Sequence, residues 1–315
     1  MHGSISGCLL DGTTGERLSS SEVMLYRIGV RGETRAVIDE RGGFSFTDLL
    51  PGEYSLAIYD HRFAPHYERF VLGENEILED LQISLTPAGF LSGQILDEQG
   101  RPPEHCWFTL IRAGDRRGRS GYISDSGDHR VSKDGSFSSP PLLPAGYYLR
   151  FAGILQKPTM LDLSDEPTDV FMQRRVFDFV YPNANDVGGA IGFDVRSGQT
   201  VSGLQIRMVR PVWHTVRGKV VGELPAERDR ISVMFTRDIG TIDPVGGAGG
   251  ALVQPDGTFE YMAQSGRYSA EICEDSPTEP SGRTYMLRRF GTAAIVVDGD
   301  DVSGFEIHVS STAVD

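Results

Sequence analysis

Seven histidines, three cysteines and a scatter of aspartates are the residues of this 315-residue chain that could carry chemistry. Zinc-dependent hydrolysis needs histidines and a carboxylate at fixed spacing. No histidine here is followed three positions later by glutamate, and no H-E-x-x-H occurs. The nearest approach is the stretch from Asp60 through His61 and His66 to Glu68. It reads more simply as a surface loop whose Phe63 and Tyr67 pack down on a sheet. Calcium would draw on Asp125, Asp128 and Asp134, or on Asp298, Asp300 and Asp301. Neither group has a recognised loop spacing, and Asp-rich turns are ordinary connectors between strands. A nucleophile elbow, a phosphate-cradling loop and a C-x-x-C pair are all missing from the sequence. The expectation is therefore no catalytic residue, no bound metal and no cofactor: a protein that is not an enzyme. Cys8, Cys106 and Cys273 are odd in number and widely spread, which is no disulfide framework. Lys219 could in principle enter a Lys–Asn crosslink, but Asn75, Asn183 and Asn185 are the only asparagines, and none lies near the end of the chain where such a partner would stand.

The net charge of -14 excludes nucleic acid as a partner, because phosphate binding needs clustered Lys and Arg. Acid and base are unevenly spread. Asp and Glu lead Lys and Arg by 14 to 7 over residues 1–87, match them at 14 each over 88–211, and lead by 16 to 9 over 212–315. The basic run Arg116-Arg117-Gly118-Arg119 reads as a solvated loop. No apolar run is long enough to enter a membrane. Ile5-Ser6-Gly7-Cys8 loosely resembles a lipoprotein cleavage site, but no apolar segment precedes it and the stretch reads as a strand. With no signal peptide in view, the chain is either cytoplasmic or a fragment without its export signal.

The elements that would position any site come in three copies. A strand with a central glycine opens each one: Ile5–Asp11, Leu91–Asp97 and Val216–Gly222. A strand–turn–strand block follows from Asp39, Ser132 and Gln254. A third strand closes each copy, from Glu76, Gln199 and Asp301. Gly42-Gly43, Asp134-Gly135 and Asp256-Gly257 supply the positive φ that a hairpin turn requires. Phe44, Phe137 and Phe259 follow as core aromatics. Blocks Pro51–Tyr54, Ala145–Tyr148 and Ser265–Tyr268 each make a second turn and launch a strand whose tyrosine buries its ring. Closing strands alternate: Leu81, Ile83 and Leu85; Leu204, Ile206 and Met208; Phe305, Ile307 and Val309. Many short strands without helical period give an all-β class: three tandem antiparallel Greek-key β-sandwiches of transthyretin or immunoglobulin type. The expected domains are 1–87, 88–211 with an insertion at 153–197, and 212–315.

Residues Asp39 to Tyr54, with the opening strand before them, resemble the carboxypeptidase regulatory-like family, a transthyretin-like (prealbumin-like) sandwich grouped with carbohydrate-binding-like folds. The middle copy adds Tyr181-Pro182 and VRSGQTVSGLQI, similar to tandem arrays in large secreted bacterial proteins. The resemblance implies an extracellular or periplasmic, cell-envelope module without catalysis. It is strongest in the first copy; in the third, the Leu-Pro-Gly turn has become Ala263-Gln264-Ser265-Gly266.

Alternation turns Trp107 outward, where the first copy has Glu22, while Phe108 and Leu110 face in with their counterparts Val23 and Leu25. Trp107 and Tyr181 are therefore the candidate ligand-binding residues, and a glycan or a protein the candidate partner. Equally, Trp107 covers a sheet edge, lies under the insertion or faces a neighbouring module. Trp213, Pro87 and Pro211 are the expected inter-domain residues, with joints short enough for a semi-rigid rod. The insertion, above all its loop from Asn183 to Ile191, is the first place to look for recognition. Alternation also turns Cys8 and Cys273 outward, and a bulge near Tyr147 would reconcile Tyr148 with Leu149 and Phe151. The function expected is a spacer, adhesion or interaction module with weak carbohydrate binding. The alternative is an accessory region of a larger secreted peptidase or outer-membrane receptor. Oligomeric state stays open.

Overall fold

The computed structural model describes residues 3–19, 21–36, 38–103, 105–116, 119–124, 127–154, 176–223, 231–242, 248–275 and 286–309. They are all-β apart from one 3-10 turn, Val187–Gly189. Arg117, Gly118, Asp125 and residues 155–175 of the expected insertion lie outside the described residues.

The first copy runs through β1 (Gly3–Asp11), β2 (Glu22–Arg27), β3 (Thr34–Ala36), β4 (Gly43–Leu49), β5 (Gly52–Tyr59), β6 (His66–Leu72) and β7 (Ile77–Leu85). The second has β8 (Phe90–Leu96), β9 (His105–Arg116), β10 (Arg119–Ser124), β11 (His129–Arg130), β12 (Ser136–Ser138), β13 (Ala145–Ile154), β14 (Val176–Val180), β15 (Phe193–Val195) and β16 (Thr200–Arg207). The third has β17 (His214–Val221), β18 (Ile231–Asp238), β19 (Ala248–Leu252), β20 (Thr258–Ala263), β21 (Gly266–Asp275), β22 (Met286–Val297) and β23 (Val302–His308).

Each copy contributes two sheets. Opening and closing strands share one, in the orders β4-β1-β7, β12-β8-β16 and β20-β17-β23. The others run β3-β2-β5-β6, β10-β9-β13-β14 and β19-β18-β21-β22. By compactness the chain divides into two units. One is Met1–Gly93 with Ser138–Gly146 and Asp194–Leu204; the other is Gln94–Phe137 with Tyr147–Phe193 and Gln205–Asp315.

The core lies between paired sheets. In the first copy Ile5, Leu9, Phe44, Phe46 and Ile83 meet Val23, Leu25, Leu56 and Ile58, all buried. The third repeats this with Val216, Phe259 and Ile307 against Val233, Phe235 and Ile272. Each such side chain contributes roughly 1.5–3 kcal/mol by leaving water. The turn glycines Gly42, Gly135 and Gly257 all have positive φ, and Phe44, Phe137 and Phe259 are buried beyond them, as the repeat requires.

Three features go beyond the period of two. Opening and closing strands pair in parallel: β1 with β7 and β17 with β23. Alternation is the same for either direction, so it could not show this. Second, β13 pairs with β9 in unbroken register from Tyr147↔Arg112 to Ile154↔His105, so the bulge expected near Tyr147 is not there. The adjustment sits in the turn instead. Gly52 and Gly266 hold φ of 154, whereas Gly146 is not among the positive-φ glycines. Tyr147 thus takes the inward place held by Tyr54 and Tyr268, and Tyr148 turns outward. Third, Cys8, Cys106 and Cys273 are all buried, so outward parity for Cys8 and Cys273 does not mean an exposed thiol.

Candidate functional site

The most elaborate polar arrangement grows from an arginine in the same place in every copy. Arg27 ends β2, Arg112 lies in β9 and Arg237 near the end of β18. They pair across the sheet with Tyr54, Tyr147 and Tyr268. In the first copy Arg27 lies over Gly52, where an added Cβ would sit 3.0 Å from Nε, and its Nη2 donates to the Pro51 carbonyl at 2.7 Å. The third copy repeats this: Arg237 lies over Gly266, with Nε 2.9 Å from such a Cβ, and Nη2 donates to the Ser265 carbonyl at 2.9 Å. The tyrosine hydroxyls donate four residues back, Tyr54 to Leu50 and Tyr268 to Gln264. Each turn is thus tied on both sides. A buried hydroxyl and a guanidinium satisfy carbonyls that the turn would otherwise leave unpaired.

Arg237 does more than its counterpart. It is 3% exposed. Its Nη1 donates to the Asp178 carbonyl, and its Nη2 to the Asn185 side chain at 2.7 Å. Both acceptors belong to the second copy. The Asp178 side chain in turn takes a forked pair from Arg150, Nε at 2.8 Å and Nη2 at 2.9 Å. Arg150 also donates to Thr109 Oγ1 at 3.4 Å, and Thr109 donates to Asp128 at 2.6 Å. Thr109, Arg150 and Asp178 are as buried as the hydrophobic core.

These side chains lie on the outer face of the β9–β13–β14 sheet. Phe108, Leu149, Phe151, Phe177 and Phe179 fill the inner face; Thr109, Ile111, Arg150, Ala152, Asp178 and Val180 alternate with them. An outer face is normally wet, yet this one is dry. The loop after β14 and the end of β18 cover it. Ile111, Val187 and Ile239 pack together there, flanked by Tyr122 and Tyr148. Val187 N donates to the Ile239 carbonyl at 3.0 Å, and Ile242 N to the Tyr122 carbonyl at 2.7 Å. Arg267 lies 3.5 Å from Asp186. The second and third copies are therefore joined by a buried ion network, a small apolar core and backbone hydrogen bonds, all within one compact unit.

Of the residues expected from sequence, Trp107, Tyr181, Pro211 and Trp213 belong to the compact unit that holds this joint, and Pro87 belongs to the other. Trp107 is half-buried on the face of Thr109 and Ile111, opposite Ala152 and Arg130. It stands at the margin of the covered face, and its counterpart in the third copy is Ser232, opposite Cys273. Tyr181 anchors the joint loop. Its N–H donates to Leu149, its carbonyl accepts from Ile191, and its ring lies 5.2 Å from that of Phe193. Its peptide bond to Pro182 is cis. Trp213 and Pro211 are half-buried between β16 and β17. Pro87 accepts from Gly198 N and Ser197 Oγ and bridges to Phe63. The loop from Asn183 to Ile191, the first place to look for recognition, presents Asn185, Asp186 and Val187 to the third copy.

The candidate ligand oxygens are engaged elsewhere. Asp60 accepts from Ser21, from the Arg62 backbone and from the Arg62 guanidinium. Burial alone would raise its pKa, but these donors outweigh that and hold it at about 2. Asp134 caps Ser136 in its own turn, and Asp301 accepts from Thr215 N. Among the described residues no three His, Cys, Asp or Glu side chains cluster as metal ligands. Burial raises the Cys106 thiol to about 12, so it is a packing group.

Sequence reading missed Arg150, Asp178 and Arg237. A signal for the last was present: Arg27-Ile28-Gly29, Arg112-Ala113-Gly114 and Arg237-Asp238-Ile239-Gly240 are one motif at the same place in each copy.

No family model matches the chain, and neither does any curated protein. Among solved structures it is similar to the Bacillus anthracis TIE protein, at 11% identity and a TM-score of 0.23, over 98% of this chain and 50% of that one. The chain thus spans half the length of that structure. It is also similar to BcpA, the major pilin subunit of Bacillus cereus, at 9% identity and a TM-score of 0.24, over 98% and 99%. The minor pilin GBS52 of Streptococcus agalactiae gives 12% and 0.31, over 72% and 100%. At such scores none of these likenesses bears on what the chain binds.

Proposed function

We propose that this chain is a non-catalytic, extracellular or cell-envelope run of three β-sandwich modules, 1–87, 88–211 and 212–315, that acts as a spacer and interaction segment, stiff at the joint of its second and third modules. The observation that carries this reading is Arg237, a buried cation of one module held by the backbone and side chains of another. A joint built from a desolvated charge network resists bending far more than a wet linker does. The paired sheets and the threefold repeat support the module boundaries. The match of Asp39–Tyr54 to the carboxypeptidase regulatory-like pattern supports kinship with that family, and with it the envelope location and weak glycan binding at Trp107 and Tyr181.

Stiffness is measurable. The native cysteines are buried, so spin labels placed at Lys133→Cys and Asp300→Cys would react selectively. We expect one narrow distance distribution, broadened by Arg237→Ala with Asn185→Ala. A wild type as broad as the variant refutes the stiff spacer. Glycan arrays read with wild type and Trp107→Ala test the sugar clause separately; no signal from either removes it.

A further inference from the structure

The Arg237 pocket has a counterpart in the first copy that stands open. Arg27 and Arg237 pair with equivalent tyrosines, cap equivalent carbonyls and lie over glycines with the same φ of 154. An isoleucine and a glycine at φ 82 follow each arginine, directly in Ile28-Gly29 and after one further residue, Asp238, in Ile239-Gly240. Leu50 and Gln264 are likewise equivalent, since each gives its carbonyl to the tyrosine hydroxyl. In the third copy these positions are covered: Ile239 is 1% and Gln264 8% exposed. In the first, Ile28 is 43%, Leu50 48% and the adjacent Val30 55% exposed. An apolar trio therefore surrounds a half-buried guanidinium that makes one hydrogen bond among the described residues. Ile28 stands where the covered joint has Ile239, without the cover, and Leu50 makes apolar the place that Gln264 holds there.

We propose that this end of the first sandwich docks onto the third sandwich of a second copy of the chain. The face it would meet is the outer face of β18, β21 and β22. In the second copy the corresponding face already receives Arg237. Three residues after the core tyrosine, where the second copy has Arg150, the third has Glu271. Its carboxylate lies 3.3 Å from Arg289 and is partly open. Met234 lies opposite it, and Leu252, half-buried, and Val296, 62% exposed, lie farther along the same face. A carboxylate on a partly apolar face is the complement of Arg27 beside Ile28, Val30 and Leu50. Such a contact joins two unlike surfaces; where the rotation between copies does not close a ring it propagates head to tail, and that open form is the one proposed. It rests on the geometry of the second–third joint and is independent of glycan binding.

Sedimentation of the full chain over a range of concentrations tests this. The weight-average mass should climb past that of a dimer without a plateau. Arg27→Glu, Ile28→Asp and Glu271→Arg should each weaken association at least about 30-fold. The double variant Arg27→Glu/Glu271→Arg should recover to within about threefold of wild type. Ile28 is exposed, so Ile28→Asp reports on docking even where Arg27→Glu disturbs the turn; circular dichroism checks each variant. A wild type that stays monomeric, a mass that levels at the dimer, or a double variant that fails to recover overturns the proposal.

Discussion

Asp178 is the residue on which the joint converges. Its side chain holds Arg150 and its carbonyl takes Arg237, and the carboxylate is 3% exposed. Removing one member of such a pair strands a buried charge, so Asp178→Ala should cost about 3–5 kcal/mol in urea denaturation. Arg150→Met with Asp178→Leu removes both charges and should recover most of that loss. Asp60 offers a second test at this scale, now in pH. Its folded pKa of about 2 lies below the ordinary aspartate value of about 3.9. The stabilisation is therefore complete above about pH 4 and is lost as pH falls through 2. The shift corresponds to about 2 kcal/mol at neutral pH. Asp60→Asn should be less stable than wild type by that amount at pH 7, and the gap should close near pH 2. A gap unchanged by acid would mean that Asp60 acts through shape alone. In the sequence Asp60 stood out only as part of a histidine-bearing loop, and Asp178 did not stand out at all. Asp178 lies among apolar residues in VFDFV, where alternation marks it outward and hence solvated; only the neighbouring copy makes it buried.

At the scale of elements, the central glycine of each opening strand has a definite task. A Cβ on Gly7, Gly93 or Gly218 would overlap the carbonyl of Leu81, Leu204 or Phe305 on the closing strand. That carbonyl comes close because the closing strand carries a bulge, with Asp80, Gly203 and Gly304 at φ of 58, 74 and 71. Gly218→Ala should therefore cost about 2–3 kcal/mol, as an overpacked site does. Gly304→Ala meets nothing within 4 Å and should cost only about 1 kcal/mol, from backbone strain. Equal costs would mean that close approach is not what the glycine serves. Turn glycines, core phenylalanines and closing-strand alternation were all legible, because each follows from a local period or a local φ. Parallel pairing was not, because it is a relation between strands far apart in the chain, as in Ser4↔Ile77 and Val216↔Val302. The shifted turn before Tyr147 was half legible: the parity conflict was visible, and its location was not.

For the whole molecule, the threefold repeat was plain in the sequence, but which copies are mechanically fused was not. Fusion depends on Arg237 meeting acceptors that lie 59 residues back, at Asp178, and 52 back, at Asn185. No joint length reveals that; Trp213 and Pro211 suggested only that the connection is short. Because the network is shared, neither copy can lose its fold without exposing the other's buried charges and the apolar contacts of Ile111, Val187 and Ile239. Calorimetry should therefore show the second and third copies melting as one cooperative transition. Arg237→Met removes the shared cation but keeps most of its apolar volume. It leaves the Asp178 carbonyl and Asn185 without their donor while the Arg150–Asp178 pair stays intact. The expected result is two resolved transitions in place of one, with the third copy melting first because Gly266 loses the group packed over it. If wild type already melts in two steps, or if Arg237→Met lowers a single transition without splitting it, the network stabilises one copy and does not couple the pair.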